Sequence, residues 1–154
     1  MSQGTLGARQ NFFGMSKRSR RQEHGAKPAE IVMVVEDDVL VRATVAAYIR
    51  DCGYTVLEAI NSIEALAILR AGYKVDVLLS NAGPSGDTDG FALAQQIRQE
   101  FSSVEIILTS GLPMTAQRAG ELCDRAPIEK PYHHDIILQR LSVLFQKRDQ
   151  SRSK

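Results

Sequence analysis

The sequence predicts a doubly wound α/β domain built on a five-stranded parallel sheet. Short apolar runs alternate with segments whose apolar residues recur at helical spacing, which is the pattern of repeated strand–helix–strand units. The run IVMVV at residues 31–35 has no polar alternation, as expected of a strand buried on both faces. With 154 residues, 44% of them hydrophobic, the chain has the size and composition of one such domain.

Five β-prone runs predict the strands, and the first is the expected central strand. In chain order the predicted strands are residues 31–35, 55–59, 75–80, 104–108 and 126–129.

Five helices are predicted to connect and follow these strands. Ser62 is the expected N-cap of the second helix, and Gly53 and Gly72 are placed to end the first two helices in a left-handed conformation. The predicted helices are residues 39–52, 62–71, 91–101, 115–124 and 133–146.

The two ends of the chain differ from the middle in composition. Residues 1–29 combine four glycines with a basic cluster and few large apolar side chains, so a disordered N-terminal tail is predicted, and Met15 stays open as an alternative start. Residues 147–154 are polar and predict a disordered C-terminal tail, too short for an output domain. The folded domain is expected over residues 30–146.

Composition excludes several classes of protein. Cys52 and Cys123 are too few and too far apart for a disulfide scaffold or a zinc site, and no apolar stretch reaches the length of a membrane span. A net charge of +1 predicts no nucleic-acid partner and no membrane partner. We therefore expect a cytoplasmic protein.

Three acids, Glu36, Asp37 and Asp38, follow the first strand. Ligands bind beyond the carboxyl ends of the strands in such sheets, and carboxylates gathered there suit Mg²⁺. Either aspartate can instead cap the helix that follows.

Polar residues also follow the fourth and fifth strands. Thr109-Ser110-Gly111 places a hydroxyl and a glycine at the same edge of the sheet, and Lys130 can bring a cation to a bound anion. The Lys130-Pro131 bond is a candidate cis peptide.

The order of these features resembles the receiver domain of bacterial two-component response regulators. The resemblance covers about residues 30–146 and is carried by VVEDD, DVLLSNAGPSGDTDG, IILTSG and EKPY. It implies a flavodoxin-like receiver fold with strand order 2-1-3-4-5. It also implies that an acidic pair and an aspartate on the third strand bind Mg²⁺, and that this aspartate accepts a phosphoryl group from a histidine kinase.

The resemblance assigns a role to each matching residue. Glu36 and Asp37 match the acidic pair, Thr109 the switch hydroxyl and Lys130 the phosphate-sensing lysine. Asn81 stands where the phospho-accepting aspartate belongs.

A neutral amide lacks the nucleophilic charge of a carboxylate, so phosphorylation at Asn81 is not expected. Asp76 lies five positions earlier, at the wrong end of a strand, and Ser80 is expected to point to the opposite face. Asp87 and Asp89, on the loop after this strand, stay open as substitute acceptors.

The missing charge also predicts weak or absent Mg²⁺ binding by Glu36, Asp37 and Asn81. Two further departures argue against a phosphorylation-driven switch. Pro127 occupies the position, three residues before Lys130, where the family usually has an aromatic residue, and the loop after Asn81 lacks the usual Met-Pro pair.

Three functions follow from these observations. The favoured one is a single-domain, atypical receiver in phosphorelay signal transduction. It is expected to bind a histidine kinase, another signalling protein or a second copy of itself through its last helix. Ile136, Val143 and Phe145 widen the apolar face of that helix. The second is a receiver phosphorylated on a substitute acid. The third is a phosphatase of the haloacid dehalogenase type, since Glu36-x-Asp38 faintly resembles its motif, but no enzyme activity is expected.

Overall fold

In the computed structural model, which describes residues 28–85, 88–111, 123 and 125–153, five parallel strands form the central sheet. The strands are β1 (Ile31–Val35), β2 (Thr55–Ala59), β3 (Val77–Asn81), β4 (Glu105–Ser110) and β5 (Ile128–Glu129).

Four helices lie within these described ranges. They are α1 (Val39–Asp51), α2 (Ser62–Arg70), α3 (Gly90–Glu100) and α4 (His134–Arg152). The helix predicted over residues 115–124, apart from Cys123, and residues 1–27 of the tail predicted over residues 1–29 lie outside the described residues.

The order of strands in the sheet is β2-β1-β3-β4-β5, and every neighbouring pair is parallel. This confirms the predicted fold class and the strand order 2-1-3-4-5. After β3, Pro84–Ser85 and Thr88–Asp89 pair as a short antiparallel hairpin within the predicted loop. None of the four helices is both long and apolar enough to cross a membrane.

Each face of the sheet is covered by an apolar layer. Met33 and Val35 of β1 point into the layer that also holds the inner residues of α2 and α3. Val32 and Val34 point into the layer that holds those of α1 and α4. The exposed fraction of these four side chains does not exceed 2%, so β1 is the central strand buried on both faces that its sequence predicts.

The ends of the first two helices show which capping predictions hold. Gly53 and Gly72 adopt φ of +96° and +88°, as expected of glycines after a helix. The prediction of Ser62 as N-cap is wrong, because Ser62 is already helical and Asn61 precedes it with an extended backbone. The Asn61 side chain accepts the Glu64 N–H at 2.9 Å, which satisfies one of the free amides of the first turn.

The predicted end of the last helix at Gln146, and the disordered tail after it, are also wrong. Helix α4 continues to Arg152. The Arg148 guanidinium lies 3.0 Å from a carboxylate oxygen of Asp76, whose side chain is 5% exposed. The other Asp76 oxygen accepts the Ile31 N–H at 2.9 Å. This buried carboxylate at the amino end of the sheet therefore fixes the added turns of α4.

Candidate functional site

The carboxyl ends of β1, β3, β4 and β5 meet at one edge of the sheet. Asn81, the last residue of β3, pairs in register with Thr109 of β4. The Ala82 N–H donates to the Thr109 carbonyl at 2.7 Å, and the Lys130 N–H donates to the Ser110 carbonyl at 2.8 Å. These backbone contacts fix the relative positions of the carboxyl ends of β3, β4 and β5.

Glu36 is the buried acid of this edge. Its backbone N–H donates to the Ala59 carbonyl at 3.2 Å, and only 7% of the residue is exposed. The Lys130 Nζ donates to Glu36 Oε2 at 3.3 Å, so an ion pair connects the end of β1 with the end of β5. The Lys130–Pro131 peptide bond is cis, the alternative that the sequence leaves open.

The surroundings of Glu36 raise the pKa of its carboxyl above the ordinary 4.5. Burial is the largest cause, and a hydrogen bond with Asp37 acts in the same direction because it favours a proton on Glu36. The charge of Lys130 acts in the opposite direction and is the smaller effect. Glu36 therefore holds a proton more readily than a solvated carboxyl does.

Asn81 lies half-buried with its amide fixed by the turn that follows it. Its Oδ1 accepts the Gly83 N–H at 3.2 Å, and its backbone carbonyl accepts the Ser80 hydroxyl at 3.4 Å. Ser80 itself is 1% exposed. The amide oxygen of Asn81 thus has a backbone donor from its own chain.

The first residue of α3 approaches the backbone of Asn81 closely. A Cβ atom added to Gly90 would lie 1.9 Å from the Asn81 carbonyl oxygen, a distance that no packed atoms tolerate. Only a glycine fits here. The sequence motif that ends at Gly90 gave no sign of this packing role, which depends on a contact between residues nine positions apart.

The remaining acids are used elsewhere. Asp38 accepts the N–H groups of Leu40 and Val41 and caps α1, the alternative role that the sequence allows for it. Asp89 accepts the first N–H groups of α3 at 3.0 and 3.2 Å. Asp76 lies at the opposite end of the sheet, and Asp87 lies outside the described residues.

The donor set suits a hard cation in type. Glu36 and Asp37 supply carboxylate oxygens and Asn81 an amide oxygen, and Mg²⁺ accepts both kinds of ligand. Among the residues placed in the structure, no group of three His, Cys, Asp or Glu side chains gathers into a metal site. The edge therefore has one carboxylate fewer than a three-acid site would have.

Two neighbours of Glu36 were not predicted. The Arg42 Nη1 donates to the Glu36 carbonyl at 2.7 Å and its Nε lies 3.5 Å from Glu58 Oε2, so Arg42 ties the end of β1 to β2. Burial and the charge of Glu36 raise the pKa of the Tyr132 hydroxyl. The Arg42–Glu58 and Tyr132–Glu36 interactions join residues that are distant in the sequence, and no local pattern points to them.

The sequence matches the family described as the response regulator receiver domain over residues 32–142. A curated relative, the probable transcriptional regulator ycf27 of Porphyra purpurea, is 35% identical over 96 residues, which are 62% of this chain and 35% of that protein. The chain thus spans about a third of the length of this relative.

Two solved structures show the same fold at low sequence identity. A CheY-like receiver domain protein from Methanospirillum hungatei JF-1 superposes with a TM-score of 0.73 at 17% identity, covering 80% of this chain and 98% of that one. The response regulator TrrA from Thermotoga maritima, solved in complex with Mg(2+)-BeF, gives 0.66 at 21% identity, covering 75% of this chain and 98% of that one.

The raised pKa of Glu36 predicts how stability depends on pH. In the wild type, the native state binds the Glu36 proton more tightly than the unfolded chain does. The free energy of unfolding of the wild type, relative to that of Glu36→Gln, should therefore fall as the pH rises from 4.5 through the raised pKa. Above the raised pKa, this difference should level off. Urea denaturation of both proteins between about pH 4 and about pH 8 measures this difference.

Glu129→Gln is the matched control, because it removes a carboxylate from an exposed position next to Lys130. A difference that instead grows in favour of the wild type with rising pH would show that the attraction of Lys130 outweighs the burial of Glu36.

Gly90→Ala should lower the free energy of unfolding by about 1–3 kcal/mol, because the added methyl group forces α3 away from the Asn81 carbonyl. Gly111→Ala is the control, since a Cβ there meets no atom within 4 Å, and its effect should stay within about 0.5 kcal/mol. Equal stability of the two variants in chemical denaturation would contradict the close approach.

Proposed function

Because the chain belongs to the family of response regulator receiver domains of two-component systems, we propose that it signals by binding a partner protein, without phosphorylation at Asn81. The observation that carries the proposal is the place of Asn81 at the end of β3, opposite Thr109 and beside the Glu36–Lys130 pair. We assign to Asn81 the position of the phospho-acceptor in this family.

The chemistry of the side chain supports this proposal. Formation of an acyl phosphate requires a carboxylate oxygen to attack phosphorus while the leaving group takes the bonding electrons. The amide of Asn81 carries no such charge, and its oxygen already accepts the Gly83 N–H. The assigned role is therefore binding, with no catalytic turnover.

The lysine of the site has a partner without any phosphoryl group. Lys130 donates to Glu36 across the edge of the sheet. A carboxylate at position 81 would add a further anion for this cation to balance, whereas the neutral amide of Asn81 adds none. The polar network is therefore complete in the unmodified protein, which supports a conformation that needs no phosphate to form.

The substitute acids support the second candidate only weakly. The carboxylate of Asp89 caps α3, so an attack by Asp89 on phosphorus would cost the helix its cap. Asp87 lies outside the described residues and keeps this candidate open to experiment. The phosphatase candidate loses support, because the carboxylate of Asp38 caps α1.

Receiver domains bind Mg²⁺ at their acidic site. We propose that this chain binds it weakly or not at all. Replacing a carboxylate by an amide at about 4 Å from the divalent ion removes on the order of 8 kcal/mol of attraction at an effective dielectric constant of 20. The raised pKa of Glu36 favours binding of a proton, which competes with the metal for this carboxylate.

Receiver domains interact with histidine kinases, and the matched relatives include sensor kinases. We assign the partner-binding surface to α4, where Ile136 and Val143 are each 40% exposed. The neighbouring Arg140 has a lowered pKa because it is partly buried and lies near the charge of Arg125. Apolar side chains beside two close guanidinium groups suit an apolar partner with acidic residues, from a kinase or from a second copy.

The proposal predicts that a phosphodonor labels the Asn81→Asp variant and does not label the wild type. With Mg²⁺ and acetyl phosphate, the Asn81→Asp variant should gain the mass of one phosphoryl group as acetate leaves, and hydroxylamine should remove it. The wild type should keep its mass. Intact mass spectrometry measures both, and the unlabelled mass also verifies that Asn81 has kept its amide.

Labelling of the wild type would contradict the proposal. Peptide mapping would then identify the labelled residue, and a label on Asp87 or Asp89 would establish the substitute-acid candidate in its place.

A further inference from the structure

An apolar groove lies between the first turns of α1 and the segment that joins β5 to α4. Its volume is about 580 Å³, and its lining includes Leu40, Val41, Pro131 and Tyr132. Leu40 is 75% exposed and the adjacent Val39 61% exposed. Apolar side chains so exposed and so close together mark a surface at which another segment binds.

Three exposed acidic residues, here called the acidic rim, lie within three positions in the sequence of residues that line this groove. Asp37 and Asp38 lie exposed on the α1 side, and Asp135 lies exposed on the α4 side, where its carboxylate accepts the hydroxyl of Tyr48. The cation that lines the groove, Lys130, is paired with Glu36. The groove therefore suits an occupant that is apolar in its middle and basic beside it.

One segment of this chain has that composition. Residues 12–21 have the sequence FFGMSKRSRR, in which two phenylalanines and a methionine precede four basic residues. We infer that this N-terminal segment docks into the groove of its own chain, with Phe12 and Phe13 on the apolar floor and the basic residues against the acidic rim.

The length of chain before β1 allows this contact. Pro28 lies beside Phe145 and Arg148, near the C-terminal end of α4, and the groove lies beside His134 at the other end of that helix. The fourteen positions between His134 and Arg148 correspond to about 21 Å of helix. Phe13 lies fifteen positions before Pro28, and an extended chain of that length reaches about 50 Å.

Because the N-terminal segment is tethered to the domain, a weak contact with the groove is sufficient for docking. A segment joined to the domain by a short linker meets its site at an effective concentration on the order of millimolar. The docked segment covers Tyr132 and lies next to the Glu36–Lys130 pair, so a partner that uses this groove has to displace it. This docking does not depend on how Asn81 behaves, and it uses a different face from the Ile136 and Val143 surface of α4.

Paramagnetic relaxation in the full chain tests the docking. A nitroxide is attached to Ser16→Cys in a Cys52→Ser background, which removes the exposed native thiol and leaves the buried Cys123. The amide signals of Leu40, Val41 and Tyr132 are expected to lose more than half of their intensity, because docking brings the label close to them, while Gln95 and Gln96 on α3 keep theirs.

The matched control is the same labelled protein with Phe12→Ala and Phe13→Ala, which removes the apolar anchors and keeps every charge. The losses at Leu40, Val41 and Tyr132 should then disappear. Equal losses with and without the phenylalanines would overturn the inference, and so would uniform or absent losses. Losses of the same size in a mixture of labelled unenriched protein and unlabelled ¹⁵N protein would also overturn it, because the contact would then join two copies.

Discussion

The ion pair between Glu36 and Lys130 is the interaction on which the candidate site depends. In the strand order β2-β1-β3-β4-β5, two strands separate the residues that carry these charges, which corresponds to about 14 Å of sheet. The 3.3 Å contact therefore crosses the ends of β3 and β4. Asn81 and Thr109 end those two strands, so the pair closes the edge of the sheet beside them.

A neutral residue at the end of β3 is consistent with the rest of this edge. Buried carboxylates repel one another, and each added charge needs a cation or a proton to balance it. Here one lysine faces one buried glutamate. The pKa of Glu36 is raised because burial disfavours the charged carboxylate more than the attraction of Lys130 favours it. The amide of Asn81 adds no further charge to be balanced, and it is held by the Gly83 N–H.

The structural features that local sequence patterns determine were predicted correctly. The features that depend on contacts between distant residues were not. The IVMVV run determined the central strand, because burial on both faces leaves no polar alternation. The end of α4 was predicted too early, since the ion pair that fixes its last turns joins Arg148 to Asp76, 72 positions away. The packing of Gly90 against Asn81 was equally invisible, because glycines in loops have many causes.

Beryllofluoride with Mg²⁺, which imitates a phosphoryl group on a carboxylate, tests the central claim most directly. In ¹H–¹⁵N spectra of the wild type, the amide signals of Ala82, Thr109 and Lys130 should stay in place when both are added. The same signals should move in Asn81→Asp, whose carboxylate can bind the ion. Movement of these signals in the wild type would show that the site still accepts a phosphoryl group, and would contradict a receiver that works without one.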